Sequence, residues 1–339
     1  MPNNQYFCDL VLKRSSAQAP AQGDTVRAAC YVSVIIVNFN AGDYLRSAID
    51  SVLSQKTGDS AVEIIVVDNH STDGSLDRLR TESEDSPDLR IIGLDENVGF
   101  ARACNAGLQV AHGEFLLFLN PDCRMLPGAI AALRDALLDD TDAGMAGARL
   151  INPDGSEQRG ARRDIPNPWM IFCEVLQLHR LMANHPRFRS FNLHADAVPD
   201  GPAEVQAVSG ACMMVRREAI ALVGQFDGDY FLHFEDLDWC LRFNQAKYIV
   251  LFVPDAQVEH TGGVCSLSMP VRVAYEKHRS LIRFLRKHFT AYYPSSFMAL
   301  VSTLVTLRFL LLAPRIWLRA HMTPRPRLVG GTRMPAHRQ

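Results

Sequence analysis

Four short apolar runs set the rhythm of the first third of this chain, at residues 32–37, 62–67, 89–94 and 115–119. Runs of this length, rich in Val and Ile and holding at most one polar residue apiece, are those of strands buried on both faces. Helical spacing fills the gaps between them. Residues 43–55 carry apolar side chains at 45, 48, 49, 52 and 53, and 99–111 form a second such stretch, broken by His112 and Gly113. Ser71, Thr72, Asp73 and Ser75 supply the capping residues that open another helix. Strands alternating with helices in this way predict an α/β fold built on a right-handed, mostly parallel central sheet flanked by helices.

Further on the spacing predicts a helix over 127–138, a strand over 143–151, a strand over 205–215, helices over 216–223 and 235–245, and a strand over 248–253. Residues 152–205 are loop-rich around an apolar stretch at 169–182, which reads either as core or as an acceptor- or lipid-facing helix. The expected organisation is a disordered leader (1–30), two halves of one α/β unit (31–150 and 151–275) and a basic C-terminal region (276–339). No signal peptide is read at the N-terminus.

Charge divides the chain unevenly. Residues 277–339 contain 12 Lys and Arg and no Asp or Glu, which leaves 23 basic against 37 acidic residues before them. A basic tail on an acidic body calls for an anionic partner. The stretch 297–313 is apolar except for small hydroxyls and Arg308. Seventeen residues is short for a membrane span, so an interfacial or shallow helix on an anionic membrane surface is expected; a buried C-terminal helix is the alternative. Nothing calls for nucleic acid. The eight cysteines include no CxxC pair, so neither a zinc site nor a redox motif is indicated, and a reducing cytoplasm is the simpler setting.

Ligands of open α/β sheets bind at the carboxyl ends of the strands. The run at 115–119 ends on Asn120, Pro121 and Asp122, and a carboxylate there can hold a divalent cation against a diphosphate. Asp68 ends the second run and can accept hydrogen bonds from a base or ribose, or cap the next helix. Asn38 and Asn40 follow the first run; Asn97, Gly99 and Asn105 could shape a nucleotide pocket. Glu235, Asp236 and Asp238 put three carboxylates among Tyr230, Phe231, Phe234 and Trp239, suiting either a general base or a helix N-terminus. His260, before Gly262 and Gly263, is either a structural residue or a second metal ligand. There is no GxGxxG after the first strand and no GxxxxGK[ST], which argues against a dinucleotide dehydrogenase and a P-loop enzyme.

In series, these stretches resemble the inverting family 2 glycosyltransferases of the GT-A fold, within them the bacterial rhamnosyltransferase-like branch. The resemblance spans about residues 31–290 and rests on VSVIIVNFN at 32–40, VVDNHSTDGS at 66–75, NVGFA at 97–101 with Asn105, LNPD at 119–122, SGACM at 209–213, GQFD at 224–227, FLHFEDLDWCLR at 231–242 and VPDA at 253–256 with His260. It implies that Asp68 contacts the base, with Asn38, Asn40, Asn97, Asn105 and Asn120 on the nucleotide-sugar side. Asn120 to Asp122 would be a variant Asp-x-Asp motif, and Asp122 with His260 would hold Mg²⁺ or Mn²⁺. Asp236 would be the base, beside Glu235, and Gly210, Ala211 and Trp239 would contact donor or acceptor sugar; residues 31–150 would form the nucleotide-sugar-binding half, 151–275 the acceptor-binding and catalytic half, and 276–339 a membrane-associating region. It also implies transfer with inversion from a nucleotide-diphosphate sugar, dTDP-rhamnose above all, to a lipid-linked saccharide acceptor at the cytoplasmic face of the membrane, in cell-surface polysaccharide synthesis. A sugar-nucleotide pyrophosphorylase and a non-catalytic membrane-bound sugar-binding module remain as alternatives.

Overall fold

The computed structural model describes residues 32–55, 62–82, 88–178, 190–266 and 269–322. The expected leader, the end of the basic tail and the last four residues of the 169–182 stretch lie outside them.

Strand β1 (Val32–Asn38) is buried at every position. It lies between β2 (Val62–Asp68) and β4 (Phe115–Leu119), with β3 (Leu89–Gly93) beyond β2, all four parallel. The connections are α1 (Tyr44–Leu53), α2 (Ser75–Glu82) and α3 (Phe100–Val110). Alternate β1 side chains feed opposite cores, as a strand's period of two requires. Val34 and Ile36 join Leu45, Ile49 and Val52 of α1, while Ile35 and Val37 join Ala103 and Cys104 of α3. That double burial is why the runs are apolar without alternation.

The second half continues the same sheet with mixed direction. Its elements are β5 (Cys123–Met125), α4 (Ala129–Asp139), β6 (Ala143–Ile151), β7 (Arg162–Arg163), α5 (Pro168–Val175), β8 (Ala203–Glu204), β9 (Ala207–Val208), β10 (Cys212–Arg216), α6 (Arg217–Val223), α7 (Glu235–Gln245) and β11 (Ile249–His260). The order is β3-β2-β1-β4-β10-β6-β11-β5, with β8 also on β11. β10 runs antiparallel to both neighbours, and β11 runs parallel to β6. The parallel reading therefore holds for the first four strands and for β6 with β11.

Two strand boundaries differ from expectation. The strand expected over 205–215 is two: β9 pairs with β7 in a small second sheet, while β10 sits in the main one. Ser209, Gly210 and Ala211 carry the chain between the sheets. The strand expected over 248–253 extends to His260, through a register shift between Val253 and Gln257. Pro254 falls in that gap, where its missing N–H breaks no ladder bond.

The chain closes with α8 (Pro270–Phe289) and α9 (Ser295–Met322). α9 buries Met298, Val301 and Val305, and leaves Leu307, Leu310, Leu311 and Trp317 exposed. It is longer than the 297–313 stretch expected. Among the described residues it is the one helix long and apolar enough, by length and composition, to cross a membrane, although only 22% of its most apolar window is buried in the protein. The apolar stretch at 169–182 begins as α5, which packs on α9 through Phe172 and Phe297, ring centroids 5.8 Å apart.

Candidate active site

A cavity of about 340 Å³ opens where the carboxyl ends of β1, β4 and β11 meet the N-terminus of α7. Asn97, Asn120, Asp122, Gly210, Ala211, Glu235, Asp236 and His260 all line it. Residues nearly 170 positions apart thus share one wall, because the sheet order brings the ends of β4, β10 and β11 together.

One corner carries the ligands for a cation. Asp122 follows β4 by three residues and is buried. Its Oδ2 accepts from the Val264 N–H at 3.3 Å. Burial works to raise its pKa, but the neighbouring imidazole and that N–H outweigh it and hold the carboxyl below its ordinary value. His260 ends β11. The Gln158 amide NH₂ donates to the His260 carbonyl at 3.1 Å, which turns its Oε1 to His260 Nδ1 at 2.6 Å. This hydrogen bond engages Nδ1 and turns Nε2 toward Asp122. Nε2 is buried, 3.3 Å from Asp122 Oδ1, and has no hydrogen-bond partner. A carboxylate and an imidazole nitrogen facing each other in a buried corner form a pair that a divalent cation could bridge, and a backing hydrogen bond such as that of Gln158 orients a metal-binding histidine. Cys123 lies within reach of the same corner. Burial pushes its thiol pKa far up, and its S–H points at the Ala211 carbonyl, 3.4 Å away. The remaining O and N donors suit Mg²⁺ or Mn²⁺ rather than zinc.

The opposite wall holds the carboxylate pair. His233 and Phe234 both adopt positive φ, 65° and 69°, just before α7 begins. Such backbone is costly for residues with side chains and persists where the surroundings enforce it. It turns Glu235 and Asp236 into the cavity. Asp236 Oδ2 accepts from Arg163 Nη2 at 2.5 Å and from the Gly210 N–H at 3.1 Å; Oδ1 accepts from the Leu237 N–H at 2.8 Å. Burial pulls its pKa up, but Arg163 and the two N–H groups prevail and keep it ionised below the ordinary range. Glu235 has no such support: its Oε2 is buried without a partner, and burial with the adjacent Asp236 charge pushes its pKa up to about 8. The two neighbours are thus held in opposite protonation states. A Cβ on Gly210 would come 3.1 Å from Asp236 Cβ, so glycine there permits the close approach.

A family model described as Glycosyl transferase family 2 matches residues 33–223. The chain belongs to that family. The N-acetylglucosaminyl-diphospho-decaprenol L-rhamnosyltransferase of Mycobacterium tuberculosis is 30% identical over 270 residues, 74% of this chain and 83% of that protein. The dTDP-rhamnosyl transferase RfbF of Shigella flexneri is 25% identical over 238 residues, 66% of this chain and 71% of that one. A mannosyltransferase of Pyrobaculum calidifontis, solved with GDP-Man and Mn²⁺, matches at TM-score 0.51 and 19% identity, covering 94% of this chain and 83% of that one. GalNAc-T7, solved with UDP, GalNAc and Mn²⁺, matches at TM-score 0.53 and 18% identity, covering 86% and 57%. These structures share the fold, the GT-A arrangement expected from the sequence.

Five of the residues singled out in this family 2 glycosyltransferase lie off the cavity wall. Asp68 is 2% exposed, its carboxylate taken by Asn38 Nδ2 at 2.7 Å and the Ser71 N–H at 3.0 Å. Asn38 also donates to Ser71 and Ser75, and Asn40 accepts from the Thr72 N–H. These three residues tie the β1 and β2 ends to the loop before α2. Asn105 bonds both ways to the backbone of Phe226, joining α3 to the loop after α6. Trp239 is fully buried, its indole N–H on the Gly224 carbonyl. Each of the five makes these contacts within the scaffold, away from the cavity wall. Conversely, the glycosyltransferase places Phe39, Asn69, Gln158, Arg159, Arg163 and Arg272 on the wall, none of them a sequence candidate. Asn69 bonds to Asn97 and to the Val98 N–H, and its place after a strand-ending Asp was a usable signal. Gln158 and Arg163 come from the loop-rich segment, where no periodicity marks them.

Proposed function

We propose that this glycosyltransferase moves a sugar from a nucleotide-diphosphate donor to a saccharide hydroxyl in one inverting displacement, with Asp236 as the general base. The observation that carries this reading is the cavity itself: one ionised, buried carboxylate facing a corner built for a cation. Asp122 and His260 would hold Mg²⁺ or Mn²⁺, which when bound supplies positive charge against the donor's diphosphate. Asn69, Asn97 and Phe39 sit on the β1 and β2 side of the wall, the place for the nucleoside.

Asp236 takes the proton of the acceptor hydroxyl as that oxygen bonds to C1. The C1–O bond to the diphosphate breaks and the nucleoside diphosphate leaves. A single displacement needs one base, unlike glycoside hydrolysis with its two carboxylates. The neutral Glu235 adds no competing negative charge beside it. By analogy with the named relatives, the donor is dTDP-rhamnose and the acceptor a lipid-diphosphate saccharide. The exposed apolar face of α9 supports that acceptor class and a place at the cytoplasmic membrane surface.

The test is turnover with dTDP-rhamnose and a diphosphate-linked N-acetylglucosamine acceptor. Asp236→Asn should lower kcat by a factor of about 10²–10⁴, the usual worth of a positioned base, with donor affinity retained. Asp122→Ala should abolish the dependence of donor binding on Mn²⁺ or Mg²⁺. Near-normal turnover by the Asp236 variant would remove it as the base. Full activity of the wild type after chelation would remove the cation.

A further inference from the structure

Positive charge gathers just beyond Asp236, where the proposed reaction leaves it unused. Arg159, Arg163 and Arg272 line the cavity on that side. Arg163 spends one nitrogen on Asp236, while its Nε is buried without a partner. On α8, Val273 faces the cavity, and Lys277, one turn later, shares that face. Lys277 is open to solvent, yet it has no hydrogen bond or ion pair with any described residue. The residue keeps accessible surface, but the walls packed around it, then the charges of Arg308, Arg159 and Arg163, pull its pKa down, with Glu174 opposing them more weakly. Arg308 reaches this place from α9. The next residue, Phe309, packs on Tyr275 and His278 of α8 at ring-centroid distances of 5.7 and 5.5 Å. Arg308 is likewise exposed and without a partner among the described residues.

Immediately past Arg308, α9 exposes Leu310 and Leu311, 57% and 72% accessible, with Leu307 at 49% on the other side of it. The sequence in space is therefore base, cations, exposed apolar helix. A saccharide joined by a diphosphate to an isoprenoid has the matching sequence: hydroxyl, two phosphates, hydrocarbon. Arg159 is paired with Glu174 at 3.3 Å and Arg163 with Asp236, but Lys277 and Arg308 have no partner among the described residues, and a multivalent anion relieves the repulsion between these two and the arginines beside them.

We propose that Lys277 and Arg308, together with Arg159 and Arg163 on the cavity wall, bind the diphosphate of an isoprenoid-linked acceptor; this assignment rests on the glycosyltransferase reading above. The chemistry is shared with anionic lipid headgroups, so the two sources must be separated by experiment.

Two acceptors with the same sugar do so: N-acetylglucosamine on a short isoprenyl diphosphate, and the neutral octyl N-acetylglucosaminide. With the wild type, the diphosphate acceptor should have the lower KM by at least tenfold. Lys277→Gln and Arg308→Gln should each raise that KM about tenfold, with kcat, donor KM and the KM for the neutral glycoside little changed. Lys277→Arg should restore most of the loss. Unchanged KM for the diphosphate acceptor in both Gln variants would overturn the site, as would an equal rise for the neutral one. So would variants that lose binding only to phosphatidylglycerol vesicles, which would make these cations headgroup contacts. A wild type that uses both acceptors equally would overturn the diphosphate site and leave the glycosyltransferase reading standing. One that hydrolyses donor but transfers to neither would overturn both.

Discussion

His260 acts through a residue 102 positions away. Gln158 engages its Nδ1, and that turns Nε2 toward Asp122. Losing such a backing bond typically costs 10–100-fold in metal affinity. Gln158→Ala should accordingly raise the Mn²⁺ concentration for half-maximal activity by that factor, with kcat at saturating metal nearly preserved. A variant with normal metal activation would mean that His260 is oriented by its strand alone. Asp122 could be picked out in the sequence because it follows an apolar run, and His260 because it precedes a glycine pair, although the spacing predicts that the strand carrying it ends at Val253. Gln158 could not, because a glutamine in a Pro- and Arg-rich loop has no local signature of what it will meet. The same holds for Arg163, the residue that keeps Asp236 ionised.

At the scale of elements, α7 is held to α8 by a buried charge. Asp238 is fully buried, and its carboxylate receives Arg242 Nε at 2.8 Å, His288 Nε2 at 2.7 Å and Lys287 Nζ at 2.7 Å. Burial opposes its ionisation, but His288, Lys287 and Arg242 overwhelm that and hold its pKa far below the ordinary range. Removing one partner of a buried ion network is costly, about 3–5 kcal/mol, because the others are left uncompensated. Asp238→Ala should lose that much in denaturant unfolding and loosen the start of α7, lowering kcat as well. A loss below about 1 kcal/mol would show that α8 does not clamp the catalytic helix. In the sequence, Asp238 reads as a third member of an acidic cluster at a helix N-terminus. Its role differs from that of Asp236 two residues earlier because successive helix positions point in different directions: Asp236 into the cavity, Asp238 into the packing against α8.

For the whole molecule, the carboxylate pair makes stability depend on pH. The folded protein raises the Glu235 pKa to about 8. Between its ordinary value of 4.5 and that figure, the native state binds a proton the unfolded chain has released, so this contribution falls as pH rises through the window. Asp236 has the opposite sign: its pKa is lowered, and its contribution is lost as pH falls toward acid. Glu235→Gln keeps the neutral form at every pH. Its Tm should stay nearly level between pH 6 and 8.5, where that of the wild type declines. Parallel curves for the two proteins would place Glu235 in an ordinary, ionised state.

By itself the sequence determined the alternation of strands and helices, the strand end that carries Asp122, the Glu235–Asp236 pair and the family. These are properties of local pattern: a strand buried on both faces must be apolar throughout, and its end is marked by the first polar residue. Tertiary structure alone decided which marked residues face the cavity. Asn97, Asn120, Asp122, Asp236 and His260 do, while Asp68, Asn105 and Trp239 serve the scaffold. It alone also supplied Gln158, Arg163, Lys277 and Arg308. A polar side chain at a strand end can turn to the ligand or to a neighbouring loop at little difference in local energy. The choice is made by the partners that folding brings in, from 30 positions away for Asp68 to 121 for Asn105.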